Sequence, residues 1–130
     1  MQGGNVTSEF ADWTIVLGRF MLGAFFAYGG ITHFLALDPI TQAMEDRGVP
    51  QPRLVLIAGS LFQIVFGLLL AFGISVPAAA IALIAFTVVA SLMLVDFWNR
   101  QEPARMALRN VFLSNLAIIG GLLIAAGTAG

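Results

Sequence analysis

The chain has 130 residues, 59% of them hydrophobic and only 10% charged. A soluble domain carries roughly a quarter charged residues, so composition points instead to one membrane domain filling 1–130. The net charge of -1 offers no surface for nucleic acid, and with no Cys and one His a single copy cannot build disulfides, iron–sulfur ligation, a bis-histidine haem or a multi-His metal site.

Residues 1–12 read as a short polar tail. It has no cationic segment and no small-residue cleavage site ahead of the apolar run, so the first span is expected to be retained rather than removed as a signal peptide. Position two is not Gly, which excludes a myristoylation signal. Asp12 is placed to cap the first helix, and Trp13 suits a membrane interface.

The first span, about 13–37, is apolar except for Arg19 and His33. As a helix it measures roughly 37 Å, enough to cross a hydrocarbon core of about 30 Å. Arg19 and His33 fall about 40° apart in azimuth. Gly23, Phe26 and Gly30 lie between them at the spacing of a packing seam, so the expectation is one inward-facing polar stripe.

In the loop that follows, Asp38-Pro39 reads as an N-cap with Pro in the first turn, and Gly48 as a helix stop. A short interfacial helix over about 39–47 is expected. The second span, about 54–73, carries Gly59, Gln63 and Gly67 at i, i+4 and i+8, small residues that permit close helix contact in lipid, with Gln63 near the midplane. Residues 74–77 form a tight turn in which Pro77 opens the third span, about 78–98, with Thr87 and Ser91 four apart, Asp96 in its last turn and Trp98 at the interface. After a short cationic loop, Pro103 starts the last helix, which crosses from about 110 to 126 and carries Ser114, Asn115 and Gly121.

The fold expected is therefore all-α: a polytopic, antiparallel four-transmembrane-helix bundle with a short interfacial helix in its first loop. Arg47, Arg53, Arg100, Arg105 and Arg109 all lie in or beside the first and third connections, and the tail, the middle turn and the C-terminus carry no Arg. The positive-inside rule then puts those connections in the cytoplasm and both termini on the outer side.

Leu17-Gly18-Arg19, Leu22-Gly23, Phe26, Gly29-Gly30, the Gly48-Val49-Pro50 segment, Gly67-Leu68-Leu69-Leu70 with Gly73, Asp96-Phe97-Trp98, and Asn110 through Ala117 followed by Gly120-Gly121-Leu122-Leu123 together resemble the DoxX family over roughly 13–127. The resemblance implies a four-helix inner-membrane protein of a bacterium or archaeon, linked to quinone-coupled redox complexes, membrane subunits of thiosulfate oxidation among them, and to oxidative-stress assemblies. Where that family often has Lys, Glu and His, this chain has His33, Gln63 and Val95.

Four residues stand out as candidates for a ligand or quinone site. An Arg at a span centre costs on the order of 2.5–3.5 kcal/mol on insertion scales. Arg19 therefore either snorkels to the outer interface, with Asp12 about two turns back on the same face, or holds an anion, a quinone carbonyl or a lipid headgroup. His33 and Asp96 are expected at similar depth, where a His–carboxylate pair would relay protons; the alternatives are an interhelical hydrogen bond, or Asp96 bonding Arg100 one turn on. Gln63 can hydrogen-bond the first helix. Gly23, Gly30, Gly59, Gly67 and Gly121 read as helix-packing positions, and no catalytic or metal-binding residue is identified.

The reading this supports is an integral membrane accessory or anchor subunit of a quinone-linked redox complex. The chain supplies no cofactor ligands of its own, quinone is the cofactor class implied by the resemblance, and lipids and other membrane subunits are the partners. The alternative is a homo-oligomeric small transporter or a membrane protein that binds lipid or another lipophilic ligand. An autonomous enzyme is the least supported class, because no nucleophile–base pair or phosphate loop is present; a non-catalytic subunit of an oxidoreductase is compatible.

Overall fold

The computed structural model describes residues 6–128. Five α-helices follow one another: α1 (Val6–Leu35), α2 (Leu37–Asp46), α3 (Pro52–Ala71), α4 (Val76–Leu94) and α5 (Ala104–Thr128), with a 3-10 turn at Phe97–Asn99 between the last two. Among the described residues four segments are long and apolar enough to span a membrane: Ser8–Leu35, Pro52–Ala71, Val76–Asn99 and Ala104–Thr128. Large apolar side chains cover the outside, Trp13 at 73% and Leu35 at 84% exposure among them. In water that surface would aggregate; against acyl chains it costs nothing.

The spanning helices form a ring in the order α1, α3, α4, α5. α1 lies along α3 in the most extensive interface, α3 meets α4, α4 meets α5, and α5 closes back onto α1 only sparsely. The core that joins them comprises Phe26, Leu70, Val76, Ala79, Ala80, Leu83, Leu122 and Ala125. α2 lies against α3 at one end and touches α1 and α4, so it covers that end of the ring. Phe97, Trp98 and Phe112 pack edge to face at 5.3 to 6.0 Å and fasten the 3-10 turn to α5.

Local chemistry sets the helix ends. Gly48 (φ 77°) and Gly73 (φ 76°) adopt the left-handed conformation just past α2 and α3. Each is followed by the paired hydrogen bonds of a Schellman motif: Gly48 N–H to Glu45 O with Val49 N–H to Met44 O, and Gly73 N–H to Leu70 O with Ile74 N–H to Leu69 O. Pro52 and Pro77 sit in the first turns of α3 and α4, where a missing N–H leaves no bond unmade.

Three local expectations are corrected. The tail expected over 1–12 falls in part on residues 1–5, outside the described residues, but 6–12 are already helical; no Gly or Pro interrupts them, so Asp12 is a mid-helix residue and not a cap. Asp38 is not an N-cap either. The chain breaks for one residue only, Ala36, whose carbonyl accepts from Ile40 N–H, and the Asp38 carboxylate instead accepts from Arg53 at 3.3 Å. Asp96 lies beyond the end of α4 and leads the 3-10 turn.

Candidate functional site

The site is built where α1 crosses α3. Gly23 and Gly67 meet there backbone to backbone: a Cβ on Gly67 would stand 2.8 Å from Gly23 O and 2.9 Å from Ala27 N. Two turns on, a Cβ on Gly30 would stand 2.8 Å from Ser60 O. Small residues at these positions let the two helices approach closely enough for side chains to bond the opposite backbone.

Gln63 does so. Its Nε2 donates to Phe26 O at 2.9 Å, and it is only 5% exposed. A carbonyl can only accept, so this contact fixes the amide orientation and leaves Oε1 as the free atom. Oε1 is buried with no partner among the described residues. An unpaired buried acceptor costs about 1–3 kcal/mol and marks a place where a donor belongs.

Gln63 lines a cavity of about 360 Å³ enclosed by α1, α3, α4 and α5 and floored by Ile40 and Met44 of α2. That volume lies within the range of roughly 300–1,000 Å³ usual for small-molecule sites. The walls are mainly apolar, with Phe26, Phe86 and Leu56 prominent, and the polar points are His33, Ser60, Gln63, Thr87 and Asn115. His33 Nδ1 lies 3.0 Å from Ser60 Oγ. Thr87 Oγ1 donates to Leu83 O at 2.8 Å, and Asn115 Nδ2 donates to Ser91 Oγ at 2.9 Å. The groups left able to bond a guest include Gln63 Oε1, the far edge of the imidazole and Asn115 Oδ1. Among the described residues no group of three His, Asp or Glu could hold a metal ion. The arrangement can therefore orient a polar head inside an apolar chamber.

The four ligand candidates do not share one site. His33 and Gln63 line this cavity, whereas Arg19 lines a separate groove between α1 and α5 at the opposite end of the bundle. The single polar stripe expected from Arg19 to His33 is thus divided: Gly23, Phe26 and Gly30 are buried on it against α3 and separate its two ends. Asp96 lines neither. It accepts from Arg47 Nε at 3.2 Å and Nη2 at 3.0 Å, and from Arg100 Nη2 at 3.1 Å. The His33–Asp96 pair is accordingly not made. Two guanidinium groups hold the carboxylate, while the histidine faces Ser60.

Among the packing glycines, Gly59 does not belong to the α1 contact. A Cβ there would lie 3.4 Å from Phe86 of α4. The buried face of α3 is Leu56, Ser60, Gln63, Gly67, Leu70 and Ala71. Its four-three spacing is visible in the sequence and identifies Ser60, which the i, i+4, i+8 reading passed over. Gly121 faces Leu22 of α1 at 3.4 Å. Arg47 carried no such signal, because its partner is 49 positions away.

The DoxX family model matches residues 14–96, more than half of the chain. No curated protein and no solved structure matches it.

Proposed function

The chain belongs to the DoxX family and is a multi-pass membrane protein, and from that premise we propose that it is a non-catalytic membrane subunit that holds a quinone-type molecule for a redox partner. The observation that carries this reading is the unpartnered Gln63 Oε1, buried beside a largely apolar cavity that opens between membrane-spanning helices. A quinone supplies electron and proton carriage when bound. This chain's part is to seat the ring between Phe26 and Phe86, to accept at Gln63 Oε1 a hydrogen bond from a hydroxyl of the reduced, quinol form, and to offer the His33 imidazole at the other polar point. The partner supplies the electron-transfer centres, because the chain has no Cys and one His.

The setting proposed is the inner membrane of a bacterium or archaeon, with the Arg-bearing end of the bundle in the cytoplasm and both termini outside. The experiment is gentle extraction from the native membrane followed by native mass spectrometry. A retained quinone mass together with co-purifying subunits is expected. A preparation that carries neither, and that takes up no decyl-benzoquinol when it is supplied, overturns the proposal.

A further inference from the structure

Arg19 stands apart from the cavity and poses its own question. Its guanidinium lies over the α3–α4 turn: a Cβ on Gly73 would be 2.9 Å from Nη2 and 3.3 Å from Cζ. That contact fixes its depth. α3 and α4 end at this turn, so Arg19 sits level with the end of the short hairpin although it is well inside the apolar run of α1. α1 and α5 both continue past it, and Thr14 and Thr128 lie at the outer end of the groove between them.

The groove measures about 570 Å³. It exists because α1 and α5 barely touch and because Gly18 and Gly121 take little room on its walls. It extends roughly 16 Å along α1 from Thr14 to Phe25, with Leu22 and Ile118 on its inner stretch. Among the described residues Arg19 is its one charged lining residue. No carboxylate among the described residues pairs with it, and its Nε is buried without a hydrogen-bond partner. A guanidinium in such surroundings is costly unless an anion answers it.

We infer that this groove is a binding site for one anionic glycerophospholipid. The phosphate lies on Arg19, the headgroup points toward Thr14 and Thr128, and an acyl chain runs inward past Leu22 toward Phe25 and Ile118. Charge complementarity selects the headgroup. Arg, with its planar fork of donors, is the cation best matched to a phosphate, and the depth set by the α3–α4 turn is where lipid phosphates lie. The groove meets the cavity at Phe25 and Ile118, which line both, but the inference rests on Arg19 and not on the redox reading.

The test is native mass spectrometry of the full chain, titrated with phosphatidylglycerol or with phosphatidylcholine of the same acyl chains. The wild type is expected to retain one phosphatidylglycerol with about tenfold preference. Arg19→Gln is expected to abolish the preference, and Arg19→Lys to keep part of it. Gly18→Leu fills the groove without touching the charge, since nothing lies within 4 Å of a Cβ there, and it is expected to lose the lipid as well. Equal retention of both lipids by the wild type, or a preference that survives Arg19→Gln, overturns the inference. So does displacement of the lipid by inorganic phosphate combined with unchanged binding in Gly18→Leu, which would make this a bare anion site.

Discussion

Arg47, in the loop after α2, and Asp96, in the loop after α4, are joined by two hydrogen bonds of 3.2 and 3.0 Å to one carboxylate oxygen. The same Arg47 returns its Nη1 to Ala43 O at 3.0 Å, so one guanidinium ties the end of α2 to the far hairpin. Because Ile40 and Met44 of α2 floor the cavity, this pair also holds the floor in place.

Asp96→Asn is therefore expected to loosen α2. The side chains of Arg47 and Asp96 are only 17% and 10% exposed, so the loss should be about 1.5–3 kcal/mol. Arg100, at 37% exposure, is more solvated, and Arg100→Gln should cost less than about 1 kcal/mol. Hydrogen–deuterium exchange over residues 43–49 distinguishes the two. It should rise at least several-fold in Asp96→Asn and change little in Arg100→Gln.

Gly23→Ala places a methyl group against the backbone of α3 at Gly67 and Ala71. Overpacking of this kind costs about 1–3 kcal/mol, more where backbone must move. Gly120→Ala meets nothing within 4 Å and should gain up to about 1 kcal/mol of helix propensity. Thermal unfolding in one detergent should move the two midpoints in opposite directions; a shared direction would refute the proposed close approach.

Gln63→Leu removes one interhelical hydrogen bond, worth about 0.6 kcal/mol on average in membranes. The midpoint should scarcely move. Binding of decyl-benzoquinol should weaken by about five- to tenfold, the loss of one hydrogen bond. A large fall in stability with unchanged binding would assign Gln63 to packing alone.

The chain has no native Cys, so single cysteines report topology directly. Gln51→Cys and Gln101→Cys are expected to be shielded from a membrane-impermeant thiol reagent in intact cells, and Ser75→Cys to be labelled. The opposite pattern would invert the proposed orientation.

The four spanning helices and the short helix of the first loop were legible in the residues, because hydropathy, prolines and left-handed glycines act locally. Helix starts were less so. Asp12 and Asp38 look like caps, yet the backbone runs helical through both: no Gly or Pro adjoins Asp12, and Pro39 falls in the first turn of α2, where its missing N–H leaves no bond unmade.

The residues by themselves determined a four-span apolar bundle with a few polar side chains that had to face inward, because lipid leaves a helix no other place to hide them. Which of those side chains meet was decided only by the tertiary structure. The Gly23–Gly67 crossing sets how α1 is rotated and shifted along α3. From that one contact follow the Gln63–Phe26 bond, the His33–Ser60 pair and the seating of Arg19 over the α3–α4 turn. The crossing is made by backbones far apart in sequence, and helical periodicity carries no record of where along its length one helix meets another.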